Sequence, residues 1–154
     1  GGNIGDRETF LKNASERISI QCGNIISVSS IYETAAWGVE NQPNFYNQVL
    51  KVDSRLEPSV FLDTILLIEK ELGRIRFEKW GERVIDIDIL FIDDLIINTS
   101  SLTVPHHQLQ NRRFTLVPLL DISEDYIHPL LKTSIIELLN ICPDPLEVSK
   151  VITD

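Results

Sequence analysis

No stretch of this chain is long and apolar enough to cross a membrane as a helix, and no secretory signal is recognisable. Methionine is absent, and the chain opens on Gly1-Gly2. Cysteine occurs only twice, as the isolated Cys22 and Cys142, which excludes a thiolate metal cluster and fits a reducing cytoplasm. Positive charge is scarce: 14 Lys and Arg stand against 23 Asp and Glu, giving a net charge of −9, which argues against a broad nucleic-acid surface. No GxxxxGK segment is present, so a P-loop is excluded, and no His/Cys grouping has the spacing of a zinc site. There is no internal repeat, linker or low-complexity tract, and 154 residues with 43% hydrophobic content suit a single domain over residues 1–154.

What remains is an alternation of helix and strand patterns. Asp6 can cap a helix running to about Ser19, with Phe10, Leu11, Ala14 and Ile18 on one face. Residues 24–33 and 45–53 read as strands, joined by a polar loop over 34–44 that carries Gly and Pro. Glu57-Pro58 opens a helix to about Leu72, and Gly73 terminates it. A charged loop over 75–84 leads into a strand over 85–92, a turn at Asp93-Asp94 and short strands at 95–97 and 102–104. Residues 106–113 read as irregular or as a helical turn. A helix over 114–120 is expected to break near Pro118, and a last helix covers 133–140 before a Pro143/Pro145 tail. This order predicts an α+β fold, an antiparallel sheet covered by helices.

The chemistry concentrates in residues 72–88, LGRIRFEKWGERVIDID. Five of the 14 Lys and Arg lie between Lys70 and Arg83, a local cationic site that suits a small polyanion such as a nucleotide. Asp86 and Asp88 follow, on one face of a strand and roughly 7 Å apart. Alternation alone favours a plain half-exposed strand with its acids in solvent. Two like charges so placed repel, however, and a divalent cation relieves that repulsion. Arg74, Arg76 and Arg83 can be solvated loop cations, or can take phosphate oxygens two at a time. His106, beside His107, Arg112 and Arg113, can donate to a phosphate or a leaving oxygen, whereas His128 has no such company and reads as structural. Gly1-Gly2-Asn3-Ile4-Gly5 is given a turn role, with Asn3 a candidate ligand contact. Trp37, Phe45, Trp80 and Phe114 are either peripheral core or the walls of a slot that stacks a heterocycle, with Asn47 reading its edge. Glu69 faces the basic loop as a possible partner for arginine.

Taken in order, these motifs resemble those of the 6-hydroxymethyl-7,8-dihydropterin pyrophosphokinase family of folate biosynthesis. The matching segments are GGNIGDRE at 1–8, SSIYETAAWG at 29–38, QPNFYNQV at 42–49, IEKELGRIR at 68–76, WGERVIDIDIL at 80–90 and LTVPHHQLQNRRF at 102–114. The RxxDxD core with LTVPH downstream is the most specific of them. Departures are Gly2 where serine is usual, His107 where tyrosine is common, and Ala35 and Trp37 where proline and leucine are.

The resemblance implies a ferredoxin-like sheet flanked by helices, with an N-terminal strand that the sequence lacks ahead of Gly1. It implies transfer of the pyrophosphoryl group of ATP, as co-substrate, to the pterin hydroxymethyl with release of AMP. Two Mg2+ ions would be held by Asp86 and Asp88. Arg74, Arg83 and Arg112 would hold phosphates, with Arg74 and Arg83 counted with the two aspartates as catalytic. His106, Glu69 and Trp80 would also contact the nucleotide, with residues 74–84 acting as a lid. Thr34, Trp37 and Asn47 would recognise the pterin, stacked by Phe45 and Phe114. A cytoplasmic monomer acting on small molecules is the form expected. A two-metal nuclease and a non-catalytic ferredoxin-like binding module are the alternatives. The nuclease is disfavoured by the acidic surface and by the lack of further carboxylates near Asp86.

Overall fold

The computed structural model describes residues 1–35, 42–73 and 84–152. Helix α1 spans Arg7–Gln21, and Asp6 caps it by accepting the Thr9 N–H at 3.1 Å. The chain turns at Gly23, where a Cβ would lie 2.2 Å from the Asp53 carbonyl oxygen, so only glycine allows this approach of helix to sheet. Strand β1, Asn24–Val28, then pairs antiparallel with β4, Leu50–Asp53. Strand β2, Tyr32–Thr34, pairs antiparallel with β3, Phe45–Asn47, and on its other side with β7, Val148–Lys150.

Each of the two long strands expected over 24–33 and 45–53 is therefore interrupted, and both breaks fall at the same level. There Ser29 N–H donates to Val49 O, Val49 N–H donates to Ser29 Oγ, and Gln48 Nε2 donates to Ser29 O. The serine hydroxyl and the glutamine amide take over ladder bonds, and the hairpin bends there. The β7 strand was not expected from the Pro143/Pro145 tail. It forms because β2 has a free edge and proline ends before Val148.

Helix α2, Pro58–Glu71, begins with proline in its first turn and ends ahead of Gly73 at φ +92°. Short strands β5, Ile97–Asn98, and β6, Thr103–Val104, pair with each other. A single 3-10 turn, Leu109–Asn111, precedes helix α3, Arg113–Ser123, and helix α4, Ile135–Ile141, follows. Pro118 does not break α3, contrary to the reading of the sequence. Its missing N–H removes one helical bond, but Leu116, Pro118 and Leu119 are buried together, and that burial holds the helix through the gap.

Residues 85–92 correct a second expectation. They form no ladder among the described residues, and run between two helical layers. On one side Ile18, Cys22, Ile65 and Ile68 of α1 and α2 pack with Leu50, Val52, Ile87 and Ile89, and Leu11 and Ala14 pack with Ile85. On the other, Leu109, Leu116, Leu119, Ile135 and Leu138 enclose Val49, Leu90 and Phe91. The result is a mixed helix and antiparallel-sheet architecture, with a core on each side of residues 85–91.

Two stability predictions follow from these cores. Ile68 is fully buried, and Ile68→Ala should cost about 2–5 kcal/mol in urea unfolding. His128 is also buried. Its Nδ1 accepts the N–H groups of Leu130 and Leu131 at 3.1 and 3.0 Å, and its ring lies edge-on to Phe91. Burial holds its proton affinity below the ordinary value of 6.5, so protons prefer the unfolded chain. Its contribution is intact above that value and declines as pH falls below it. Unfolding free energy measured at pH 7 and pH 5 should fall more for the wild type than for His128→Gln; equal losses would assign the acid sensitivity to other groups.

Candidate active site

The alternation along residues 85–90 sets the site. Ile85, Ile87 and Ile89 face α1 and α2, so Asp86 and Asp88 face the side where Leu90 meets the α3 layer. Asp86 is half-buried and Asp88 exposed. The backbone of Asp86 is held at both ends by one residue: its N–H donates to Gly1 O at 2.7 Å, and Gly1 N donates to Asp86 O at 2.7 Å. The next amide, Ile87 N–H, donates to the Glu69 Oε2 at 2.8 Å.

His106 is tied to the same segment, its N–H donating to Leu90 O at 2.9 Å. Its Nδ1 accepts the Gln108 N–H at 3.2 Å, which leaves Nε2 to carry the proton of the neutral ring. Burial lowers its proton affinity. Asp88 draws it upward, Arg112 and His107 lower it further, and Asp86 draws it upward again. The outcome lies below the ordinary 6.5, so His106 is a neutral Nε2–H donor at pH 7. His107 stacks on it with ring centroids 5.1 Å apart. Arg112 lies at the entry to α3, its guanidinium carbon 5.6 Å from the centroid of the Phe114 ring. The first turn of that helix is fixed from a distance: Asp144, itself buried, accepts the Arg113 N–H at 3.1 Å and the Leu146 N–H at 2.9 Å. No property of the residues around 112 pointed to Asp144.

A second corner forms where β2 meets β3. Thr34 and Phe45 are directly opposite in register, as are Tyr32 and Asn47. Thr34 is 2% exposed, and its Oγ1 has no hydrogen-bond partner among the described residues. Phe114 is half-buried on α3, which touches both strands. Asn47 lies hard against Gly1: a Cβ on Gly1 would sit 1.9 Å from Asn47 Oδ1 and 2.8 Å from Tyr46 O. Gly2 bridges Tyr46 as a strand would, with N–H and carbonyl both bonded to it. The turn role expected for the glycine-rich opening therefore holds for Gly5, at φ +68°, while Gly1 and Gly2 form an extended bridge between Asn47 and Asp86.

Asn3, expected to touch a ligand, is 1% exposed and directs its Nδ2 to Gln42 Oε1 at 3.1 Å and to Pro43 O at 3.0 Å. Arg7, overlooked in the sequence although it stands within the GGNIGDRE segment, completes this clamp. Its Nη1 donates to Asn44 O at 2.7 Å, it pairs with Glu33 at 3.3 Å, and its guanidinium lies 3.8 Å from the centroid of the Tyr46 ring. Glu69 is 3% exposed and lies beneath the acid pair. Trp37, Arg74, Arg76, Lys79, Trp80 and Arg83 lie outside the described residues, as does nearly all of the expected lid at 74–84. A separate cavity of about 330 Å³ between Ser29, Gln48 and Lys150 contains none of the candidate residues.

Among the described residues no three His, Cys, Asp or Glu side chains are grouped to hold a metal. Two carboxylates are the donor set magnesium commonly takes from a protein when substrate phosphates and water complete its shell, so the site fits a cation that arrives with a nucleotide.

Comparison with known proteins agrees with this geometry. Residues 1–124 match the family model of 7,8-dihydro-6-hydroxymethylpterin-pyrophosphokinase. A 2-amino-4-hydroxy-6-hydroxymethyldihydropteridine pyrophosphokinase of Aquifex aeolicus is 45% identical over 132 residues, 86% of this chain and 82% of the relative. The enzyme of the same name from Haemophilus influenzae is 37% identical over 84% of this chain and 81% of its own length. A folic acid synthesis protein of Pneumocystis carinii is 44% identical over 88% of this chain, which spans only 18% of that longer protein. With the acid pair, the histidine and the glycine bridge all inside the matched region, the chain belongs to the 7,8-dihydro-6-hydroxymethylpterin-pyrophosphokinase family.

Proposed function

We propose that this chain transfers the pyrophosphoryl group of ATP to 6-hydroxymethyl-7,8-dihydropterin and releases AMP, a step of folate biosynthesis. The names of its relatives support this reading. The observation that carries it is the Gly1 bridge, which sets the carboxylate pair and the Thr34–Asn47 corner side by side, as a reaction between a metal-bound nucleotide and a second substrate needs.

In this reading Asp86 and Asp88 would hold two Mg2+ ions, which would neutralise phosphate charge. The neutral His106 donates from Nε2 to a phosphate oxygen, and the Arg112 guanidinium takes another. Arg74 and Arg83 are assigned phosphates from their place in the RxxDxD segment, and Glu69 and Trp80 are assigned to the nucleotide on the same ground. Asn47 reads the edge of the pterin between Phe45 and Phe114, and Trp37 is assigned to the pterin from its place in the SSIYETAAWG segment. The Thr34 hydroxyl supplies a hydrogen bond that no described residue takes. Catalysis is then positioning plus electrostatic stabilisation of the passing charge. The ferredoxin-like arrangement of sheet and helices belongs to the same reading. A monomer in the cytoplasm suffices.

The test is to incubate the protein with ATP, Mg2+ and the pterin and to identify the nucleotide released. AMP is expected. ADP would mean single phosphoryl transfer, and no pterin-dependent turnover would favour a binding module. Asp88→Asn, at an exposed position, should lower turnover by roughly 10²–10³-fold with the unfolding midpoint unchanged; full activity would remove the metal assignment. Thr34→Val should leave stability equal or higher, since an unsatisfied hydroxyl is removed, while pterin affinity falls roughly 3–12-fold by titration. Unchanged affinity would place the pterin elsewhere.

A further inference from the structure

In an extended chain successive N–H groups point to opposite edges. Gly1 meets Asp86 on one edge. On the other edge, where a neighbouring strand would supply a carbonyl, the Ile87 N–H meets a carboxylate, the Oε2 of Glu69 at 2.8 Å. Glu69 stands on α2 and is 3% exposed. Ile87 is also the residue between the two aspartates. The plane of the 86–87 peptide sets the direction of the Asp86 side chain relative to that of Asp88.

We propose that Glu69 is a positioning residue: by holding the Ile87 N–H it fixes the peptide between Asp86 and Asp88, and thereby aims both carboxylates to the side where the Mg2+ ions would bind. This rests on the reading of Asp86 and Asp88 as cation ligands, and has Glu69 serve the nucleotide through those ligands rather than by direct contact. Groups that orient metal ligands from behind commonly govern metal affinity as strongly as stability.

The experiment titrates Mg2+ into the full chain with a non-hydrolysable ATP analogue, following analogue binding by calorimetry and unfolding by circular dichroism. Glu69→Leu keeps bulk and removes the acceptor. It should raise the Mg2+ concentration for half-maximal binding roughly 10–100-fold, a larger factor than any loss of metal-free analogue affinity. Glu69→Gln keeps an acceptor oxygen and should stay within about threefold of the wild type, the difference between a charged and a neutral acceptor. An unchanged Mg2+ midpoint in Glu69→Leu, with only the melting temperature lowered, would reduce Glu69 to a fold residue and overturn the proposal. If Glu69→Leu does not fold, Glu69→Gln decides: a loss of analogue affinity equal with and without Mg2+ puts the carboxylate on the nucleotide and overturns it, and a wild-type midpoint supports it. A wild-type protein whose analogue binding ignores Mg2+ would instead overturn the cation reading itself.

Discussion

Period-two alternation along residues 85–90 is the constraint from which both the packing and the chemistry follow. Isoleucine at 85, 87 and 89 must face α1 and α2 to be buried, and this leaves the aspartates no choice of side. A slip of one residue would bury two carboxylates among Ile65, Ile68 and Leu11 and expose three isoleucines. The hydrophobic core thus fixes the side to which the acids point.

The same economy governs the corner where β2 meets β3. Thr34, Phe45 and Asn47 are placed by the hairpin of β2 and β3, and the bend at Ser29 and Val49 allows that hairpin to leave β1 and β4 and turn toward β7. Gly1 then packs its bare Cα against Asn47 while its backbone grips Asp86, so the two halves of the site share one residue with no side chain. His106 and Arg112 arrive on irregular chain between β6 and α3. Their placement depends on single bonds, to Leu90 and from Asp144, rather than on repeating structure.

Periodicity made α1, α2, the hairpin and the acid pair legible, because each is a local pattern with one apolar face. Asp6 as a cap and Gly73 as a terminator were legible for the same reason. What the sequence hid was non-local. The bonds that Arg113 N–H donates to Asp144, Asn3 Nδ2 to Pro43 O and Ile87 N–H to Glu69 join residues 18 to 40 positions apart, and no periodicity encodes such pairings. Proline misled twice: Pro118 was read as a break in a helix that tertiary burial sustains, and Pro143 and Pro145 were read as an unstructured end although β7 follows them.

The match to the family model stops at residue 124, yet the packing around Thr34 and Phe114 does not. Val148 lies opposite Thr34 in the sheet, and Asp144 anchors the helix that bears Phe114. Residues 144–150 are therefore a buttress for β2 and α3, which lie upstream. A chain cut at residue 124 would lose the Asp144 acceptor and the β7 edge together, although every residue of the family-model match remained.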